Sequence, residues 1–141
     1  MDLGSIFSVT TLLVLLSISG VRSVTVTLTK SAEKGQLGNN SLSLFCDYTL
    51  SSAESVITID LKRKRAADSS FHIVVAYYED TLNASNFLSG SDLLGRTVLT
   101  NPTSVNRRAI LQFSSIHCAD EADYRCELFY AVSGQGNSII N

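Results

Sequence analysis

Apolar and polar residues alternate with a period of two along most of the chain. Val24, Val26 and Leu28 alternate with Thr25, Thr27 and Thr29, a β-branched run that predicts a strand. A polar loop with Gly35, Gly38, Asn39 and Asn40 follows. Leu42, Leu44 and Cys46, alternating with Ser43 and Phe45, predict a second strand, and residues 51–55 read as a turn. Ile57, Ile59 and Leu61 alternate with Thr58, Asp60 and Lys62 to give a third. Residues 71–78 (FHIVVAYY) are a nearly continuous apolar fourth, and residues 81–90 read as a loop or a weak short strand. Residues 96–100 predict a short strand, stopped by Asn101 and Pro102. Ala109, Leu111 and Phe113 mark another, with Ile116 beyond it. Ala122, Tyr124, Cys126 and Leu128 alternate again. Residues 133–137 (SGQGN) form a hairpin-like turn, and residues 138–141 begin a last strand. No stretch sustains a 3.6-residue period. Eight or nine short strands separated by turns predict an all-β sandwich or barrel.

The N-terminus breaks this pattern. Residues 6–18 (IFSVTTLLVLLSI) are an apolar run too short to cross a bilayer comfortably. Val21 and Ser23 suit cleavage after Ser23, with cleavage after Gly20 the nearby alternative. Residues 1–23 are therefore expected to be a signal peptide, although Asp2 is the only charge before the apolar run. Residues 24–141 contain no second apolar segment of about 20 residues. They are expected to form one domain in the secretory route, secreted or outside the plasma membrane.

Composition narrows the function. Charged residues make up 17% of the chain, with 11 basic against 13 acidic, which excludes a basic nucleic-acid binder. In an oxidising compartment two of the three cysteines, Cys46, Cys118 and Cys126, should pair. There is no CxxC, and His72 and His117 lie far apart, so every close zinc pattern fails. His117 and Cys118 are adjacent, but sequence neighbours in a turn point apart and nothing supplies an oxyanion hole. No catalytic residue, metal ligand, cofactor or nucleotide motif emerges.

The segment from Leu111 to Cys126, LQFSSIHCADEADYRC, carries the identification. It resembles strands E and F of an immunoglobulin domain of the variable type, whose pattern is L-x-I-x-x-V-x-x-x-D-x-G/A-x-Y-x-C. The resemblance covers nearly all of residues 24–141 and implies a Greek-key β-sandwich. It makes Tyr124 a tyrosine corner. It pairs Cys126 with Cys46, which stands in the L-x-C of strand B as Leu44-Phe45-Cys46. It sets Asp120 in the E–F turn against Arg96 at the start of strand D, and gives Ala122 the small-residue position.

Three features depart from the family. There is no tryptophan, and Leu61 stands where strand C carries one, so compensation is expected from Phe113, Phe45 or Tyr78. Cys118 is left for an intermolecular bridge, a partner beyond this sequence, or a free thiol in the exposed E–F turn. Strand G is expected to be incomplete, as in a fragment of a longer protein.

The resemblance implies non-catalytic recognition outside the cell, as in the ectodomain of a receptor or adhesion protein. The alternative is a soluble immune or lectin-like component, disulfide-linked through Cys118. An accessory domain of a secreted enzyme is a third reading. The expected partner is a protein or glycan, with homo- or hetero-dimers in view, and no membrane anchor shows in this chain. The candidate face is formed by strands C, C′, F and G, with Lys62, Lys64, Tyr77, Arg125 and Glu127 pointing outward and Phe129 depending on register. The loops at residues 49–55 and 131–137 resemble the family's variable loops. The run Lys62-Arg63-Lys64-Arg65 reads as the solvated end of strand C, with a glycan patch or a processing site as functional alternatives. Asn39 and Asn83 are N-glycosylation acceptors, while Pro102 blocks the sequon at Asn101.

Overall fold

The computed structural model describes residues 23–32, 35, 37, 38, 42–80, 85, 86 and 88–141. The expected signal peptide and both glycosylation acceptors, Asn39 and Asn83, lie outside the described residues.

Among the described residues nine strands follow in chain order: β1 Thr25–Lys30, β2 Ser43–Thr49, β3 Glu54–Lys64, β4 His72–Tyr77, β5 Ser85–Asn86, β6 Thr97–Thr100, β7 Arg108–Phe113, β8 Asp123–Val132 and β9 Gly136–Ile140. Two short 3-10 turns, Leu88–Leu93 and Cys118–Asp120, interrupt them. One sheet has the order β1-β2-β7-β6 and the other β5-β4-β3-β8-β9, every pair antiparallel. In the lettering of the resembled family these are A-B-E-D and C″-C′-C-F-G. Strand G is five residues of β9, pairing Leu128 through Val132 on β8.

Period-two alternation explains which residues meet between the sheets. Leu44, Cys46 and Tyr48 on β2 and Ala109, Leu111 and Phe113 on β7 are buried, while their neighbours along each strand are more exposed. Ile59 and Leu61 on β3 and Cys126 and Leu128 on β8 face them from the second sheet. The Cys46–Cys126 disulfide joins the sheets across 80 residues of chain, with its Cα atoms 5.9 Å apart. Leu61 is the cross-strand partner of Cys126. Each fully buried aliphatic or aromatic side chain contributes about 1.5–3 kcal/mol.

Two expectations about aromatic residues change. Tyr77, expected on the outer face, is 1% exposed and is one of the two largest fully buried side chains, with Phe113. The cause is a register shift opposite Leu61/Lys62: Leu61 pairs with Val75 but Lys62 with Ile73, so Val74 is an extra residue on β4. One inserted residue swaps inward and outward for everything beyond it. Tyr77 lands opposite Ile59, inside. With Phe113 it supplies the bulkiest fully buried side chains of a core that holds no tryptophan. Phe45 instead lies on the outer face of the other sheet beneath the Arg108 guanidinium, 4.9 Å from its ring centroid, and Tyr78 is half-buried.

The Tyr77 hydroxyl is buried with no hydrogen-bond partner among the described residues, and burial pushes its pKa far up. An unpaired buried hydroxyl costs about 1–3 kcal/mol. Tyr77→Phe should therefore raise the melting temperature. Leu61→Trp, which restores the family residue to a filled core, should cost about 1–3 kcal/mol through overpacking. Thermal melts followed by circular dichroism check both, and a more stable Leu61→Trp would show that the core around Leu61 is not filled.

Candidate functional site

Because Ile59, Leu61, Cys126 and Leu128 point into the core, the residues between and beyond them point out. On the outer face of the five-stranded sheet Lys62 pairs across to Arg125, Asp60 to Glu127, and Lys64 to Asp123. Lys62 forms an ion pair with Glu127, and the contact leaves Glu127 only 7% exposed. Asp60 is 5% exposed. Burial raises its carboxyl pKa, although a hydrogen bond from Thr58 and the charge of Lys62 oppose the shift. The Arg125 guanidinium lies over Phe71, 4.3 Å from the ring centroid. Of the expected face, Lys62, Lys64, Arg125 and Glu127 are placed here, and Tyr77 is not.

The opposite half of this face is apolar. A bulge in β3 between Val56 and Thr58 inserts Ile57. Val56 packs against the core, so the extra residue faces out and is 40% exposed. Phe129 pairs with Thr58 on one side and Ile139 on the other. Phe129 is half-buried and Ile139 is 56% exposed. Ile57, Phe129 and Ile139 thus form one outward cluster. Alternation groups Ile57 with the inward Ile59 and Leu61, and the one extra residue on β3 against β8 is what turns it outward.

The basic run divides by parity. Lys62 and Lys64 go to the outer face, while Arg63 turns inward and is 2% exposed. Its Nη1 and Nη2 donate to Asp92 Oδ2 and Oδ1 at 3.0 and 2.8 Å. Arg65 Nη2 donates to the same carboxylate at 2.8 Å. Asp92 sits in the turn Leu88–Leu93, whose Gly90 lies so close to β4 that a Cβ there would fall 2.3 Å from the Val74 carbonyl oxygen. Arg96 donates through Nη1 and Nη2 to both oxygens of Asp120 at 2.9 and 2.8 Å, and through Nε to the Asp92 carbonyl oxygen at 2.8 Å. The Tyr124 hydroxyl donates to the Asp120 carbonyl oxygen at 3.0 Å, the geometry of a tyrosine corner. Reading the basic run as a solvated strand end missed Arg63 and Asp92 together.

Cys118 is a free, exposed thiol in the turn Cys118–Asp120. It lines a cleft of about 600 Å³ with Leu42, Leu44, Phe113 and Ile116. The His117 backbone N–H donates to Asp120 Oδ2, and His72 is exposed on β4 at the far side of the second sheet.

The charge network makes stability depend on acid. The hydrogen bonds from Arg63 hold Asp92 below the usual carboxylate range against the effect of burial, helped by the charges of Arg63 and Arg65. Burial works against ionised Asp120, but the bonds from Arg96 and the His117 N–H outweigh it and lower its pKa. Carboxylates lowered in the fold contribute stability that is whole above the unfolded value of about 3.9 and is lost as pH falls through the folded one. Asp60, raised in the fold, has the opposite sign: its contribution is whole below about 3.9 and fades as pH rises. Melting temperatures should fall below about pH 4, less steeply in Asp92→Asn. Asp60→Asn should stabilise at neutral pH and have little effect in strong acid. An acid limb identical in wild type and Asp92→Asn would refute the assignment.

No protein-family model matches the chain, and no curated protein matches its sequence. Among solved structures, it superposes on murine CRIg with a TM-score of 0.65, covering 84% of this chain and 91% of that one at 14% identity. At that identity the likeness bears on the fold alone. With the sheet orders, the intersheet disulfide and the tyrosine corner, it shows that this chain folds as an immunoglobulin-like sandwich of the variable type.

Proposed function

We propose that the chain is a non-catalytic recognition module that works outside the cell and binds through the outer face of its five-stranded sheet. The observation that carries the reading is the outward cluster of exposed Ile57 and Ile139 with half-buried Phe129, beside a row of charged side chains. Protein interfaces combine apolar with polar contacts, and this face offers an apolar half beside a charged one. On the other sheet, the apolar Phe45 is covered by Arg108, and Val98, 53% exposed, lies on β6 at the sheet edge. A disulfide between Cys46 and Cys126 suits an oxidising compartment.

The test is a binding screen of the secreted protein, multimerised, against an array of extracellular proteins. Phe129→Asp and Ile139→Asp should each weaken any binding found by about tenfold or more, the scale of a central interface residue. Val98→Asp should leave it unchanged. Binding that survives both face variants and is lost in Val98→Asp would sink this reading.

A second reading, a disulfide-linked secreted component, draws on Cys118, whose thiol is exposed while the other two cysteines are paired. It predicts a dimer on non-reducing gels that collapses to monomer on reduction and is absent in Cys118→Ser. A monomer with one thiol open to labelling would rule it out.

A further inference from the structure

The inference rests on the face just proposed and concerns what its partner must carry. Arg125 projects from β8 onto that face, opposite Lys62. Its guanidinium is fixed over the Phe71 ring, 4.3 Å from the centroid. Its Nε is buried and has no hydrogen-bond acceptor among the described residues. Lys62, the adjacent cation, is already joined to Glu127. Lys64 lies one outward position further along β3, opposite Asp123, with no ion pair among the described residues. Arg63 and Arg65, the other half of the basic run, are tied to Asp92. Among the described residues the face therefore keeps one guanidinium, seated over an aromatic ring and already partly desolvated, with one ammonium near it and no carboxylate ion-paired to either.

We propose that Arg125, seated on Phe71 and flanked by Lys64, anchors a carboxylate from an aspartate or glutamate of a protein partner. A planar guanidinium bonds a planar carboxylate through two parallel N–H···O contacts, and ring stacking removes the entropy the arginine would otherwise lose on binding. Two observations favour a protein carboxylate over a sulfated glycan. The local charges nearly cancel, because Asp60, Asp123 and Glu127 stand among Lys62, Lys64 and Arg125, so no excess field holds a polyanion. The same face also presents Ile57, Phe129 and Ile139, which need an apolar counterpart. Phe129 is four residues along β8 from Arg125, about 13 Å at strand rise. The partner thus presents a carboxylate about 13 Å from an apolar contact.

The experiment selects displayed 16-residue peptides on the folded, disulfide-bonded protein and measures the winners against four variants. Arg125→Met keeps a stem to cover Phe71 and removes the charge; Lys64→Ala, Phe129→Asp and Val98→Asp complete the set. Circular dichroism establishes that each folds. Selected peptides should be enriched in Asp or Glu together with apolar residues. They should lose at least about tenfold in affinity to Arg125→Met, less to Lys64→Ala, and weaken with added salt. Replacing the peptide's acid by its amide should remove the effect of Arg125→Met, the signature of a direct pair. Peptides that depend on Phe129 but bind Arg125→Met equally well would overturn the anchor and leave the face standing. Peptides that ignore Phe129→Asp as well, or no peptides at all, would count against face and anchor together. Displacement of the acidic peptides by a heparin hexasaccharide at lower concentration than by a free glutamate peptide would overturn the protein carboxylate in favour of a sulfated glycan.

Discussion

The inner faces of the two sheets meet at the Cys46–Cys126 bridge, and that contact sets the parity of every strand around it. With Cys126 pointing inward, its partner Leu61 must point inward too, and Lys62 and Arg125 must point out. Successive side chains in a strand have only two places to go. Placing one cysteine therefore assigns a run of neighbours on β8 and, through cross-strand pairing, on β3. The outer face that carries the proposed function is the complement of the core and is fixed by the same contact.

Parity alone does not explain the end of the sandwich that holds the Leu88–Leu93 turn and the tyrosine corner. There Arg63 obeys alternation and turns inward, where a charge without a partner would be costly. The turn Leu88–Leu93 supplies Asp92, and Gly90 lets that turn press against the backbone of β4. Asp92 then faces three arginines, Arg63, Arg65 and Arg96, while Arg96 also grips Asp120. Such networks often contribute little net stability, because desolvation offsets much of the attraction. Here the network anchors the Leu88–Leu93 turn and the tyrosine corner to the sandwich, and it removes two of the four basic residues of the run from any binding role.

Much of the fold could be read in the chain. The alternation of Leu44 and Cys46, of Ile59 and Leu61, and of Ala109, Leu111 and Phe113 located strands and core, and the Asp-x-x-x-Tyr-x-Cys cluster indicated the topology. The candidate face was legible in part. Lys62, Lys64, Arg125 and Glu127 follow from simple alternation. Tyr77 and Ile57 do not, because Tyr77 lies past a bulge and Ile57 is the inserted residue of another, and the apolar stretch from Ile73 to Tyr77 offers no polar marker to reveal a shift in phase.

The sequence by itself therefore determined the strand content, the immunoglobulin-type pattern and the small set of charged residues able to reach the surface. These are local properties: periodicity, turn chemistry and the spacing of a few residues along one chain. The tertiary structure decided that Tyr77 turns into the core, that Arg63 is buried on Asp92, that Ile57 joins Phe129 and Ile139, and that Arg125 rests on Phe71. Each of these depends on register between strands distant in sequence. Register is set by the packing of two whole sheets against each other, and no window along the chain contains it.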